Sequence, residues 1–249
     1  MKKIFFLALG LVGILTTSQV KIIAHRGFWK TKKPTSENSI QSLKNAQKLG
    51  VYGSEFDVRM TKDKVLVINH DEKINDLEIY KSRYRKLKNI LLSNGETLPL
   101  LEDYLEQGRQ NPAIKMILEI KPAESPKKED EIVKKTLDLV EQHQMNNQVI
   151  FISFSLNICK TIKKTNPKLH VQYLNGDLSP KEIKTIGLDG IDYEYEVFLK
   201  NPTWISEAKK LNLVTNTWTI NDIKLFKNLK DLGIEFVTTD TPDVFMQNP

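Results

Sequence analysis

The sequence contains a single cysteine, Cys159, among its 249 residues. One cysteine forms neither an intramolecular disulfide nor a multi-cysteine zinc site, so any bound metal ion needs oxygen or imidazole ligands. The chain also lacks an internal repeat, a low-complexity tract and a Pro/Gly/Ser-rich linker. With 11 Gly, 10 Pro and 40% hydrophobic residues, it is typical of one globular domain rather than of a collagen-like or disulfide-rich protein.

A hydrophobic run long enough to span a membrane is also missing. The apolar stretch of residues 4–15 covers about a dozen residues, whereas a spanning helix needs roughly 20. It follows two lysines and precedes a small polar segment, residues 16–19, an order typical of a secretory signal peptide, with a membrane anchor as the alternative. We therefore expect residues 1–19 to be removed. Residues 20–249 then form one mature domain that is periplasmic or extracellular, without stable membrane insertion.

The chain carries only a mild excess of positive charge. Its formal net charge of +6 falls to +4 once Lys2 and Lys3 are removed with the signal peptide. The remaining lysines are scattered, so we interpret them as a solvated surface and do not expect a nucleic-acid partner. A modest positive field still favours anionic substrates.

Short apolar runs rich in β-branched residues alternate with longer amphipathic segments along the chain. This alternation is typical of βα units around a parallel sheet, and repeated crossovers of this length close into a TIM (β/α)8 barrel. A doubly wound sheet is the alternative, but its glycine-rich turn after the first strand is missing. Nine strands are predicted, one more than a barrel needs: Val20–Ala24, Gly53–Val58, Val65–Asn69, Ile114–Ile120, Gln148–Ser153, Leu169–Leu174, Gly190–Glu194, Leu213–Thr217 and Ile234–Thr238.

The amphipathic segments between these strands predict covering helices, as a parallel sheet buried on both faces requires. The seven predicted helices are Asn38–Leu49, Leu100–Gly108, Lys128–Gln144, Leu156–Asn166, Pro180–Ile186, Thr203–Leu211 and Asn221–Leu232. Residues 71–97 break the rhythm, because they are polar and rich in lysine and contain no clear strand. We interpret this segment as a small irregular insertion in a single-domain α/β barrel.

Ionisable residues stand at the ends of several early strands, where a parallel barrel places its active site. Four predicted strands end in this way, with Ala24-His25-Arg26-Gly27, Glu55-Phe56-Asp57, Asn69-His70-Asp71 and Glu119-Ile120-Lys121. Alternate residues of a strand share a face, so Glu55 and Asp57 point the same way. The same spacing places Glu119 and Lys121 on one face. We expect the four endings to converge at one mouth of the barrel.

Three carboxylates, those of Glu55, Asp57 and Glu119, therefore crowd this mouth. Partly buried carboxylates repel one another, and their pKa values rise unless a positive group lies between them. A divalent cation supplies that charge, and ligands that are all oxygen favour Ca²⁺ or Mg²⁺ over zinc. A Glu-x-Asp pattern alone is more often a solvated strand edge, so the prediction depends on the four endings together.

Two of the four histidines in the sequence, His25 and His70, stand at these strand ends. The ordinary pKa of histidine, about 6.5, allows such a pair to divide acid and base roles at neutral pH. The other two histidines are interpreted as surface or structural residues. Arg26 and Lys121 add fixed positive charge, which suits a phosphate group better than a sugar or a peptide.

Taken as a series, these motifs resemble the signature of the glycerophosphodiester phosphodiesterase family, within the phospholipase C-like phosphodiesterase superfamily. The series begins with His25-Arg26-Gly27, Glu37-Asn38-Ser39 after Pro34, Glu55-Phe56-Asp57, His70-Asp71 and Glu119-Ile120-Lys121. It continues through Leu98-Pro99-Leu100-Leu101-Glu102, Ser153-Phe154, Trp218-Thr219-Ile220-Asn221 and Thr239-Asp240-Thr241-Pro242. The resemblance covers nearly all of the predicted mature chain.

The resemblance implies a TIM-barrel enzyme that hydrolyses deacylated phospholipids to glycerol 3-phosphate and an alcohol, with Ca²⁺ or Mg²⁺ as cofactor. The matching positions are Glu55, Asp57 and Glu119 for the metal carboxylates, His25 and His70 for the acid/base histidines, and Arg26 and Lys121 for the phosphate contacts. Either histidine can be the base in this scheme. The attacking group can be water or the substrate's own glycerol hydroxyl.

Three further residues lie near these motifs. Glu37 stands in a stretch two residues longer than the family's usual Pro-Glu-Asn-Thr, so it either supports the site or favours the start of a helix capped by Ser36 or Asn38. Trp218 offers an apolar wall or a cation–π face to a choline group, or packs in the core. Glu194 lies in an acidic run and either reaches the mouth or ends a polar strand.

Two other functions fit the same fold. A phospholipase or lysophospholipase-type phosphodiesterase needs an exposed apolar lip, and residues 71–97 are too polar to provide a convincing one. A non-catalytic anion-binding module is the second alternative, because a fold does not fix a function. The presence of every expected ionisable residue favours the enzyme.

Overall fold

Eight parallel strands close into a barrel in the computed structural model, which describes residues 19–247. The strands of the chain are β1 (Lys21–Ala24), β2 (Gly53–Met60), β3 (Leu66–Ile68), β4 (Lys73–Ile74), β5 (Leu77–Glu78), β6 (Lys115–Ile120), β7 (Val149–Ser153), β8 (His170–Tyr173), β9 (Gly190–Glu194), β10 (Val214–Trp218) and β11 (Phe236–Thr239). The ring runs β1, β2, β6, β7, β8, β9, β10, β11 and returns to β1. The predicted TIM barrel is confirmed. Apart from Gln19, the predicted signal peptide lies outside the described residues.

Helices follow the barrel strands and cover the outside of the sheet. They are α1 (Ile40–Leu49), α2 (Tyr84–Leu87), α3 (Leu101–Gly108), α4 (Pro126–Gln142), α5 (Leu156–Thr165), α6 (Pro180–Ile186), α7 (Tyr195–Lys200), α8 (Trp204–Lys210), α9 (Ile223–Asp231) and α10 (Pro242–Met246). All seven predicted helices are present, whereas the short α2, α7 and α10 were not predicted. Within residues 19–247, none of the helices combines the length and the apolar composition that a bilayer crossing requires.

One of the nine predicted strands, Val65–Asn69, is not part of the barrel. It forms β3, which pairs antiparallel with the end of β2, so that Val58 lies opposite Ile68. The expectation that His70 ends a parallel barrel strand is therefore wrong. Because β3 runs back along β2, it returns the chain to the same mouth, where the Asn69 N–H donates to the Asp57 carbonyl at 3.0 Å.

The segment 71–97 is an insertion, as predicted, but it has small elements of its own. It contains the hairpin β4–β5, a 3-10 turn at Ile79–Lys81 and the one-turn helix α2. A separate apolar cluster holds it in place, formed by Val67, Ile79, Leu87 and Leu98. The insertion thus packs against β3 through Val67.

Side-chain alternation along the strands separates two apolar layers. Phe56 and Ile120 point outward and pack in the large core beneath the helices. Ile23, Ile117 and Leu174 point inward and fill the barrel interior. Because Phe56 and Ile120 face the helices, the charged residues beside them in the sequence face the barrel axis, as the spacing predicts.

Gly27 closes the turn that follows β1. Its φ of +79° lies in the left-handed region, and a Cβ there would collide with the side chain and backbone of Ser42 in α1. Gly27 also donates its N–H to the Glu55 carbonyl at 3.1 Å. The turn thus fixes the position of the preceding residues, His25 and Arg26.

Gly27→Ala is therefore expected to lower the free energy of unfolding by about 2–4 kcal/mol, because left-handed strain and overpacking add. Urea denaturation measures the change. Gly95→Ala is the matched control, since Gly95 has a φ of +85° but no atom within 4 Å of the place that a Cβ would occupy, and strain alone costs about 1–2 kcal/mol. Equal losses in the two variants would show that the contact with Ser42 does not matter.

Candidate active site

Three acidic side chains meet on the inner face of two neighbouring strands. Glu55 and Asp57 lie on β2, and Glu119 lies on β6 in register with Asp57. One carboxylate oxygen of each residue lies within 4.8 Å of the other two. All three residues are buried, with exposed fractions of 4%, 1% and 6% in chain order. The predicted convergence of these carboxylates is present in the structure.

Lys121 is the main cation inside this cluster. Its Nζ lies 2.8 Å from Asp57 Oδ1 and 2.9 Å from Glu119 Oε1. Asn38 adds a neutral contact, donating from Nδ2 to Asp57 Oδ2 at 2.7 Å. Glu55 instead accepts the backbone N–H of Arg26 at 2.8 Å. Lys121 thus contacts both Asp57 and Glu119, whereas the Arg26 backbone holds Glu55.

The pKa values indicate that the cluster contains too little positive charge to balance its three carboxylates. Burial, followed by the charges of Asp57 and Glu119, raises the pKa of Glu55 well above its usual range. Burial and the Asp57 carboxylate also raise the pKa of Glu119 to about 8, against the opposing charge of Lys121. For Asp57, burial is the largest single effect and raises the pKa, but Lys121 and its other partners together lower it to about 2.

This donor set fits a hard divalent cation. Oxygen ligands at 2.3–2.6 Å from Ca²⁺, or about 2.1 Å from Mg²⁺, lie no more than about 5 Å apart, and the three carboxylates meet that limit. A bound cation would also relieve the repulsion that raises the pKa values of Glu55 and Glu119. The residues present therefore suit Ca²⁺ or Mg²⁺.

His25 is oriented by a hydrogen-bond network at the end of β11. Its Nδ1 lies 2.7 Å from Asp240 Oδ1, and Asp240 Oδ2 accepts from Lys30 and Asn221, both at 2.9 Å. Burial, the largest effect, raises the pKa of Asp240, but its hydrogen bonds with His25 and Lys30 outweigh it and leave the pKa lowered. An ionised Asp240 places the proton on Nδ1. His25 Nε2 then faces Glu55 Oε2 at 4.0 Å.

His70 follows β3 and reaches the same mouth of the barrel. Its Nδ1 lies 2.8 Å from Asp71 Oδ1, and Arg59 holds its backbone, donating from Nε and Nη2 to the His70 carbonyl at 2.9 and 2.7 Å. The side chain remains 36% exposed. Burial lowers the pKa of His70, although Asp57 acts in the opposite direction. The structure thus brings both predicted histidines to the carboxylate cluster.

Arg26 lies at the rim, with its guanidinium directed across the cluster. Its Nη1 donates to both carboxylate oxygens of Glu37 at 3.0 Å, and its Nε lies 3.8 Å from Asp57 Oδ2. The cap of α1 is Ser39, so the predicted capping by Ser36 or Asn38 is wrong. Glu37 lies against Arg26 and is partly exposed.

A cavity of about 110 Å³ opens between these groups and an apolar wall. Seven of the nine predicted site residues line it, namely His25, Arg26, Glu55, His70, Glu119, Lys121 and Trp218. The other two, Asp57 and Glu37, do not line the cavity. Ile152, Phe154, Leu174 and Trp218 form the apolar wall. Trp218 packs edge-on against Phe154, with ring centroids 5.6 Å apart.

Other candidates lie elsewhere. Glu194 is exposed and does not line this cavity, so it ends a polar strand. His143 follows α4 and lies 3.8 Å from Glu106. His170 begins β8, at the opposite end of the barrel from the carboxylate cluster. The interpretation of these two histidines as surface or structural residues agrees with their positions.

Sequence reasoning assigned no role in the site to four residues that the structure places in or beside it. Asn38, Asn221 and Asp240 stand within the quoted motifs, so the motifs contained a signal for them. Their hydrogen bonds span 18 to 215 positions of sequence separation, which no local pattern shows. The fourth, Asp192, is a buried carboxyl on β9 that lines the cavity.

Comparison with known proteins gives a consistent result. Residues 25–244 match the model of the glycerophosphoryl diester phosphodiesterase family. A glycerophosphodiester phosphodiesterase from Bacillus altitudinis is 28% identical over 238 residues, which cover 90% of this chain and 95% of that protein.

Solved structures show the same fold. A glycerophosphodiester phosphodiesterase from Parabacteroides distasonis superimposes with a TM-score of 0.90 at 40% identity, over 92% of this chain and 96% of that one. An Oleispira antarctica phosphodiesterase, solved in complex with the product sn-glycerol-3-phosphate, has a TM-score of 0.81 at 24% identity. This second match covers 91% of this chain and 95% of that one.

Proposed function

The chain belongs to the glycerophosphoryl diester phosphodiesterase family and hydrolyses glycerophosphodiesters, and we propose that the residues at the barrel mouth carry out this reaction with a divalent cation. The observation that carries the proposal is the cluster of Glu55, Asp57 and Glu119. These three buried carboxylates lie within 4.8 Å of one another. Lys121 supplies only one positive charge inside the cluster.

The three carboxylates would hold Ca²⁺ or Mg²⁺. When bound, such a cation polarises a phosphoryl oxygen and neutralises charge that develops on it. Asn38 fixes Asp57 through Nδ2, and the Arg26 backbone fixes Glu55. These contacts hold Asp57 and Glu55 in the cluster before a cation binds.

Arg26 and Lys121 bind the phosphate of the substrate in this proposal. Both side chains line the cavity together with Glu55 and Glu119. Burial lowers the pKa of Lys121, but the charges of Asp57 and Glu119 outweigh it and leave the pKa raised. Lys121 thus stays charged at neutral pH. Glu37 orients the Arg26 guanidinium without occupying the cavity.

His25 and His70 transfer the protons. One takes the proton from the attacking oxygen, and the other delivers a proton to the leaving alcohol. Each has its Nδ1 bonded to an aspartate, Asp240 or Asp71, so each has Nε2 free for exchange. The aspartates also stabilise the imidazolium form that each histidine passes through.

The substrate is a small glycerophosphodiester. The Oleispira antarctica phosphodiesterase with bound sn-glycerol-3-phosphate supports the same product for this chain. The order of charges and apolar residues before position 20 further supports action in the periplasm or outside the cell.

The test is release of glycerol 3-phosphate from glycerophosphocholine and glycerophosphoethanolamine by the purified protein. We expect release in Ca²⁺ or Mg²⁺, its loss after chelation, and recovery when the cation is added back. Lysophosphatidylcholine is the comparison substrate, and its preferred cleavage would favour the phospholipase-type alternative. Full activity in excess chelator would contradict the assignment of the carboxylate cluster.

A further inference from the structure

Asp192 is a buried carboxyl in the cavity that the proposed reaction does not use. It lies on β9, where its neighbours Ile191 and Tyr193 pack outward beneath the helices, so its own side chain points into the barrel. The residue is 1% exposed, and its Oδ1 has no hydrogen-bond partner among residues 19–247. It lines the same cavity as Glu55 and Glu119.

Asp192 lies across the cavity from the cation site. β9 is four strands from β2 in either direction around the eight-strand ring, so Asp192 and Glu55 occupy opposite walls. On its own side, Asp192 has the apolar side chains of the wall. Its carbonyl accepts the Trp218 Nε1–H at 2.9 Å, which holds the indole beside the carboxyl.

The position is unfavourable for the protein alone. A buried carboxyl oxygen without a partner loses its hydration and gains nothing in return. Burial raises the pKa of Asp192 to about 7, although a hydrogen bond with Asn216 opposes this. An apolar residue of similar size would cost less here. Because Asp192 lines the cavity, its unpartnered carboxyl oxygen is instead suited to a polar ligand that binds there.

We propose that Asp192 binds a hydroxyl group of the substrate's glycerol moiety and so selects glycerol esters. The proposal rests on the function proposed above. A hydroxyl donates to a carboxylate and accepts from a carboxylic acid, so it suits either protonation state of Asp192. A phosphate would be repelled by the carboxylate form. The glycerol is also the part common to all glycerophosphodiesters, whereas the alcohol on the other ester varies.

The volume and the lining of the cavity agree with this ligand. Its volume of about 110 Å³ is enclosed on one side by the cation site and on the other by Ile152, Leu174 and Trp218. A single water molecule needs only about 10–15 Å³ of such cavity volume. A three-carbon chain can therefore place its C–H groups against the apolar wall and a hydroxyl against Asp192.

The test measures binding of two phosphate monoesters by calorimetry in saturating Ca²⁺, with wild type, Asp192→Leu and Asp192→Asn. Glycerol 3-phosphate carries the hydroxyls, and n-propyl phosphate lacks them. We expect Asp192→Leu to lower the affinity for glycerol 3-phosphate by about 10- to 100-fold. The affinity for n-propyl phosphate should fall by less than about threefold. Asp192→Asn keeps a hydrogen-bonding group, so its affinity for each of the two phosphates is expected to stay within about fivefold of the wild-type value.

Each result separates the two proposals. The role of Asp192 would be overturned if Asp192→Leu lowered the affinity for both ligands equally. It would also be overturned if the affinity for glycerol 3-phosphate did not fall. Failure of wild type to bind either phosphate would instead overturn the proposed site itself, and it needs no variant to be seen. If Asp192→Leu does not fold, Asp192→Ser supplies the same comparison, because its shorter side chain withdraws the hydrogen-bonding group from the cavity.

Discussion

Glu55→Gln is expected to lower turnover of glycerophosphocholine by at least about 10³-fold and to weaken Ca²⁺ binding strongly. The substitution removes one of the three anionic ligands, and the electrostatic stabilisation lost with a catalytic cation amounts to several kcal/mol. The Gln side chain keeps the size of Glu and can still accept the Arg26 N–H that Glu55 accepts at 2.8 Å. Parallel measurements of kcat and of Ca²⁺ binding by calorimetry check both effects.

The fold should tolerate this change. Burial and the neighbouring carboxylates raise the pKa of Glu55, so a neutral amide there relieves repulsion in the cation-free protein, and its melting temperature is expected to stay the same or rise. Glu194→Gln is the matched control, because Glu194 is exposed at the end of β9. Wild-type turnover in Glu55→Gln, or equal losses in the two variants, would contradict a cation site at Glu55.

His70→Ala should lower kcat by about 10²- to 10⁴-fold, which is the usual contribution of a general acid or base. The carboxylates of the cluster remain in place, so Ca²⁺ affinity is expected to change by less than about threefold. Single-turnover kinetics with glycerophosphocholine and calorimetry with Ca²⁺ separate the two quantities. This combination distinguishes proton transfer from a role in holding the cation.

His143→Ala is the matched control for His70, since His143 lies beyond α4 and contacts Glu106 rather than the site. It should leave kcat unchanged. A His70→Ala variant that keeps more than about a tenth of wild-type kcat would show that His70 does not transfer a proton in the slow step. Loss of Ca²⁺ binding in the same variant would assign it to the cation site instead.

The sequence predicts the inward carboxylates well because a strand obeys a strict period of two. Phe56 between Glu55 and Asp57, and Ile120 between Glu119 and Lys121, both pack outward. Once the apolar residues face the helices, the charged residues have no other direction than the barrel axis. The same rule extends to Asp192, which alternates with Ile191 and Tyr193. Asp192 stands in an acidic run that also contains Glu194, and the run gave no reason to select Asp192 for the site.

The two-residue period of a strand does not predict how β3 pairs. Val65–Asn69 has the apolar residues of a barrel strand, and no local signal tells a parallel neighbour from an antiparallel return. The pairing of Val58 with Ile68 depends on the turn between β2 and β3. His70 reaches the mouth nevertheless, because an antiparallel strand returns the chain to the place that its partner left. The structure thus places His70 at the mouth as expected, although by a different path from the predicted one.

Long-range hydrogen bonds account for the other residues that sequence reasoning missed. Asp240 follows the last barrel strand, and it contacts His25 after the first because β11 closes the ring against β1. Asn38 precedes α1 and contacts Asp57 on β2. Both contacts exist only in the closed barrel.

A cation held by Glu55, Asp57 and Glu119 together can be located by anomalous diffraction from crystals soaked in Mn²⁺, which stands in for Ca²⁺ or Mg²⁺. We expect one strong peak with an oxygen of each carboxylate at about 2.0–2.6 Å. A fully bound Mn²⁺ elsewhere in the barrel mouth, with these three carboxylates free of it, would show that they do not hold the catalytic cation.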